Sequence, residues 1–167
     1  MTKTIERRAS LGFRAAVIAL VIAVGTVAPV SAAAASAGPQ DITIYHCVNE
    51  NTQSDTWSAN GAVNDAGTVT VLDKLIPGVS PHTRNPIIIP TIEFDGAYGS
   101  FVMTNTIRYL SLTAPDQVYP FVGTWRITGG AGAYAGIQGQ GQNTGTNDLN
   151  TGMFCTTYTG QVQLVGR

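Results

Sequence analysis

Past residue 40, apolar and polar positions alternate with a period of two in short runs separated by Gly, Pro, Asn and Asp. That period belongs to half-buried β-strands, and the Thr, Val, Ile and aromatic content of the runs fits a pleated surface. The pattern predicts eight strands, near Asp41 to Val48, Thr56 to Val63, Gly67 to Leu75, Pro86 to Phe94, Gly99 to Ser111, Phe121 to Thr128, Gly136 to Thr144 and Met153 to Leu164. Asn64-Asp65-Ala66-Gly67 and Asp95-Gly96 read as hairpin turns. The Pro-containing segments Ile76 to Pro86 and Thr113 to Pro120 read as longer loops at the rim of an open end. No helix is expected in this region. Eight antiparallel strands in about 130 residues predict a small up-and-down β-barrel, with a β-sandwich as the alternative.

The same alternation assigns faces. In the first strand His46 shares a face with Ile42, Ile44 and Val48, and Cys47 points the other way; in the last, Cys155 lies opposite Phe154, Tyr158, Val162 and Leu164. Asp73 falls in phase with Val69, Val71 and Leu75, and Asn105 with Phe101, Met103, Ile107 and Tyr109. His46, Asp73 and Asn105 are therefore the polar exceptions on apolar faces, and a buried polar side chain must find a partner, trapped water or a ligand. They are the candidate ligand contacts. A His46–Asp73 hydrogen bond would permit acid/base chemistry, since imidazole titrates near neutrality. Glu93, Arg108 and Arg126 fall on outer faces, His82 and Arg84 in a loop at the barrel mouth, and Tyr134 over a turn as a packing residue.

The beginning of the chain reads differently. Lys3, Arg7, Arg8 and Arg14 precede an apolar run from Ala15 to Val30, and Ala35-Ser36-Ala37 before Gly38 fits a cleavage site. This is the layout of an export signal over residues 1–37, too short in its apolar part to span a bilayer. Arg7-Arg8 leaves twin-arginine export open beside the general secretory route. One domain, residues 38–167, remains, and the expected location is extracellular. It carries five basic and nine acidic side chains. The basic residues are scattered, so a nucleic-acid partner is not expected, and no membrane association is expected after cleavage.

Cys47 and Cys155 are the only cysteines. Export makes a disulfide the expected state of the pair, joining the first strand to the last as neighbours in a closed sheet. Zinc-protease motifs, His/Cys metal spacings, the G-x-S-x-G elbow and the phosphate-loop ending G-K-[ST] are absent from the sequence, so no metal site or cofactor is expected.

One segment carries a resemblance. In Gly123 to Gly141, GTWRITGGAGAYAGIQGQG, an aromatic strand runs into a cluster of glycines. It resembles the glycine-rich segment of the dirigent and allene-oxide-cyclase-like barrel family, G-G-T-G-x-[FY]-x-x-A/G-x-G, with Ala131 where that family usually has Thr. Lipocalins and avidins place their glycine-x-tryptophan near the mature N-terminus, whereas Gly123-Thr124-Trp125 lies late. The resemblance implies a barrel that binds a small apolar molecule and steers the cyclisation or coupling of a reactive intermediate by shape alone. The alternative is a noncatalytic extracellular interaction protein whose barrel is filled by Phe101, Met103, Tyr109, Trp125 and Ile127. Self-association as a homo-oligomer fits either.

Overall fold

A computed structural model describes residues 38–79 and 85–164. The export signal, His82 and Arg84 lie outside the described residues. Eight antiparallel strands, β1 Gln40–Asn49, β2 Ser54–Gly61, β3 Asp65–Val79, β4 Pro86–Gly96, β5 Gly99–Tyr109, β6 Val118–Gly132, β7 Ile137–Asp148 and β8 Met153–Leu164, form a closed barrel in chain order. β1 pairs with β8 along its whole length, from Gln40↔Val162 to Asn49↔Met153, which closes the seam. Cys47 and Cys155 are directly opposed in that ladder and are disulfide-bonded. The barrel outcome, rather than the sandwich, follows from this seam pairing.

Two strands run further than the hydrophobic pattern suggests. β3 continues through Pro77 to Val79, and β6 begins at Val118, ahead of Pro120. Proline is tolerated where the ladder does not need its missing N–H. Pro77 lies on a stretch of β3 that no longer faces β2, and Pro120 lies at the end of the β5–β6 ladder, where its carbonyl accepts the Leu110 N–H at 2.9 Å.

The hairpins β1–β2, β3–β4, β5–β6 and β7–β8 sit at one end of the barrel, and both termini of the described sheet sit at the other. The inward residues form two apolar clusters at these ends. The larger, at the terminus end, contains Ile44, Trp57, Phe94, Phe101, Met103, Trp125, Ile127 and Tyr158. Phe94 and Phe101 stack at 4.9 Å, and Trp57 meets both edge-on. The smaller, at the hairpin end, is built on Ile107, Tyr109 and Phe121 with Ile88, Tyr119 and Phe154.

Turns at the terminus end are tied to one carboxylate. Asp65 accepts hydrogen bonds from the Tyr134 hydroxyl at 2.7 Å and from the backbone N–H groups of Ala66, Ala97 and Tyr98. It thereby joins the start of β3, the β4–β5 turn and the β6–β7 turn, and Tyr134 packs on Phe101 as the glycine-rich sequence leads one to expect. Burial opposes ionisation of Asp65, but these donors outweigh it and hold its pKa below the ordinary carboxylate value; the same contact, with burial foremost, raises the Tyr134 pKa. Because the folded pKa is the lower one, Asp65 adds stability above its unfolded pKa and loses it as the pH falls through the folded value. Because the carboxylate is partly exposed and screened by solvent, Asp65→Asn should cost no more than about 1 kcal/mol at pH 7. In urea titrations the gap from wild type should close below about pH 4.

Candidate functional site

Between the two apolar clusters lies a polar layer, and each strand shows how it arises. On β5 Asn105 interrupts the inward series Phe101, Met103, Ile107, Tyr109; on β8 Thr156 sits between Phe154 and Tyr158; on β1 His46 follows Ile44. On β7 the inward position is Asn143, between Gly141 and Gly145. His46, Asn105, Asn143 and Thr156 are the buried polar residues among those described. His46 and Asn105 thus occupy the inward positions that alternation predicts.

Asp73 does not. A bulge between Val71 and Asp73 leaves Leu72 without an opposite residue, so Val71 pairs with Ile92 and Asp73 with Thr91. One extra residue reverses the phase of everything beyond it. Lys74, not Asp73, then faces the barrel mouth, while Asp73 is exposed and accepts the Lys74 backbone N–H at 2.7 Å. The expected lumen contact at Asp73 is corrected accordingly, and it is not the partner of His46.

That partner is Asp55, at the start of β2. His46 Nε2 and Asp55 Oδ1 are 2.6 Å apart. An ionised carboxylate can only accept, so Nε2 carries a proton, and Nδ1, which in the neutral imidazole is an acceptor, faces the Tyr158 hydroxyl 3.5 Å away. The imidazole is further fixed by the Phe94 ring, edge-on at 5.8 Å, and by Tyr158, nearly parallel at 6.4 Å. Burial raises the Tyr158 pKa well above that of free tyrosine; Thr156 opposes the rise, the Asp55 charge adds to it, and Asn105 again opposes it. The phenol stays protonated. Thr156 and Asn105 are near enough to act on this hydroxyl, yet neither meets hydrogen-bond geometry, and both polar atoms of Asn105 and of Asn143 are buried without a partner.

A cavity of about 220 Å³ opens above this layer at the hairpin end. Its floor is His46 and Tyr158; its walls include Ile88, Ile92, Ile107, Tyr109 and Phe154; Glu50, Asp55 and Lys74 stand at its mouth. Larger depressions of about 770, 580 and 510 Å³ lie over the outer wall, lined mainly by Thr, Gln and Gly positions. They are open surface, and the smaller cavity is the one that meets buried titratable groups. Arg108 and Arg126 are exposed, as their outward phase requires, and Glu93 lies half-buried on the outer side.

Asp55, Asn143 and Thr156 were not among the residues singled out in the sequence. Asp55 is in phase with Trp57 and becomes legible once β2 is begun at Ser54 rather than Thr56. The chain matches no protein-family model, no curated protein and no solved structure. Among the described residues, no helix is long and apolar enough to cross a membrane.

Proposed function

We propose that the chain is a secreted barrel that takes one small, mainly apolar molecule into the cavity at its hairpin end, tail toward the mouth and polar group toward His46 and Tyr158. The observation that carries this reading is the pairing of apolar walls with a buried polar floor, the usual composition of a small-molecule site. The volume of about 220 Å³ lies below the ~300–1,000 Å³ of drug-sized ligand pockets, so the ligand is smaller than that class. Glu50 and Asp55 outnumber Lys74 at the entrance, which favours a neutral ligand over an anionic one.

The chemistry follows from the same groups. Asp55 holds the imidazole in one tautomer and orients it, which leaves Nδ1 as a proton acceptor beside a neutral phenol. A reactive intermediate confined here would be restricted in conformation and shielded from water, and those two effects are what a cyclisation-steering barrel supplies. The noncatalytic alternative draws on the terminus end, which the aromatic cluster fills.

Native mass spectrometry of the mature protein from its own culture medium, followed by denaturing extraction, tests binding. The expected result is a released neutral molecule. A panel of small hydrocarbons, alcohols and ketones should then bind wild type, and Ile107→Trp, which fills the cavity, should weaken binding at least ~10-fold. A mature protein that binds none of them, or an Ile107→Trp variant that binds them unchanged, moves the reading to the noncatalytic alternative.

A further inference from the structure

β3 outruns its neighbour. β2 pairs with it only over Thr56–Ala59 against Asp65–Thr68, whereas β3 continues to Val79 with β4 on its other side. Beyond Val69 the far edge of β3 therefore carries backbone N–H and C=O groups with no strand opposite among the described residues. Five large apolar side chains crowd the same stretch: Val71 52%, Leu72 52%, Leu75 56%, Ile76 60% and Val79 59% exposed. An open edge and an exposed apolar patch are each a template for association, and here they coincide.

We infer that this edge pairs with the same edge of a second copy, antiparallel about a two-fold axis, to give a dimer. Four observations select a second copy as the occupant. An antiparallel edge is self-complementary, so one surface serves both partners. Residues 38–167 carry nine acidic and five basic side chains, which repel in a pair, but Asp73 and Lys74 cancel within the arm and leave it neutral. The five side chains, spread over both faces of the arm, expose about 500 Å² per copy, so a pair that covered all of them would bury about 1,000 Å², the lower bound for specific association. Finally, the other stretch of β6 without a paired neighbour on its β7 side, beyond Arg126, lies at the opposite end of the barrel and is mostly glycine and polar, so among the described residues the β3 arm is the edge that carries exposed large apolar side chains. Pro77, without an N–H, and the bulge at Leu72 confine the shared ladder to a short run, which guards the edge against further strand addition.

Sedimentation of the mature chain at roughly 100 µM, where a dimer of micromolar affinity is nearly complete, should give twice the monomer mass. The double variant Leu75→Asp and Ile76→Asp should weaken association at least ~100-fold and bring the average mass at that concentration at least halfway down to the monomer, because it places carboxylates in the pairing. Tyr98→Asp, equally exposed but at the other end of the barrel, should remain dimeric. A monomeric wild type, or a dimer that survives the double variant, overturns the inference. Single cysteines at Leu72, Asp73, Lys74 and Leu75 give an independent readout that leaves the apolar patch largely intact. Isologous antiparallel pairing predicts one position that crosslinks to itself best, with yields falling on either side. Uniform yields, or none, also overturn it.

Discussion

Replacing Cys47 and Cys155 together with alanine is expected to lower the stability of the barrel by about 4 kcal/mol, since the bridge closes a separation of 108 residues in the chain. Nearly all of that loss should act through the unfolded chain. Both cysteines sit on the outer wall, half-buried, and the β1–β8 ladder around them pairs ten residues on each strand without help from the sulfurs. Removing them therefore leaves little cavity and breaks no backbone bond. What changes is the number of conformations open to an unfolded chain whose first and last strands are no longer tethered. The effect on the melting temperature should be roughly 10–20 °C for a domain of this size. Urea denaturation at equilibrium measures it, and reduction of the wild type should reproduce it. A loss below about 1 kcal/mol would mean that the unfolded chain is compact enough to keep those strands close without a bridge.

The seam also shows how far the sequence could be read. Strand number and the outward placement of both cysteines follow from alternation, because β1 and β8 carry regular apolar residues on one face and no bulge disturbs their register, whereas the closed order rather than a sandwich is decided by the β1–β8 pairing. The inward positions of His46 and Asn105 follow in the same way. Where the backbone departs from period two, the reading fails: the extra residue at Leu72 turns Asp73 outward, and nothing in Val71-Leu72-Asp73-Lys74 marks it. Asn143 was hidden for another reason. Its inward neighbours on β7 are Gly141 and Gly145, so no apolar side chains identify the face. The His46–Asp55 contact joins neighbouring strands two register positions apart, and Asp55 lies one residue ahead of Thr56, where the second strand was expected to begin. A hydrogen bond between side chains on neighbouring strands depends on register, which the sequence constrains only once both strand boundaries are correct.

The polar layer and the cavity above it are consequences of one another. Packing a barrel of this width requires large side chains at every inward level, and the terminus end has them in Trp57, Phe94, Phe101 and Trp125. At the level of His46 the inward positions on β5, β7 and β8 are Asn105, Asn143 and Thr156, all smaller than an aromatic ring, and above it the wall opens. Two asparagines with unmet hydrogen-bonding capacity are costly in a filled interior. Neither of them lines the cavity, whose floor is His46 and Tyr158, so the expected ligand contact at Asn105 is not made there and the cost falls on the fold itself.

Gly141→Ala should be among the most damaging single substitutions in this chain, costing about 3 kcal/mol, while Gly129→Ala, only twelve positions earlier in the same glycine-rich run, should stay within about 1 kcal/mol of wild type. The contrast comes from what each new methyl group would meet. A Cβ on Gly141 would lie 2.0 Å from the Thr159 carbonyl oxygen and 2.8 Å from Cε2 of Trp125, whereas one on Gly129 would meet nothing within 4 Å. The clash with Thr159 is with backbone in a paired strand, which cannot move aside as a flexible side chain would. Gly160, directly opposite Gly141 across β7 and β8, is closed in the same way by Trp125 Cζ2 at 2.6 Å. The indole thus lies against two facing glycines and donates its Nε1–H to the carbonyls of Gln142 at 3.0 Å and Thr159 at 3.2 Å. These glycines make room for a large ring inside a narrow barrel, which accounts for a glycine-rich run beside an aromatic strand without invoking a ligand. Thermal denaturation of the two variants side by side decides the matter. Equal losses would mean that Trp125 and the β8 backbone can yield, and that the glycines answer to something other than close packing.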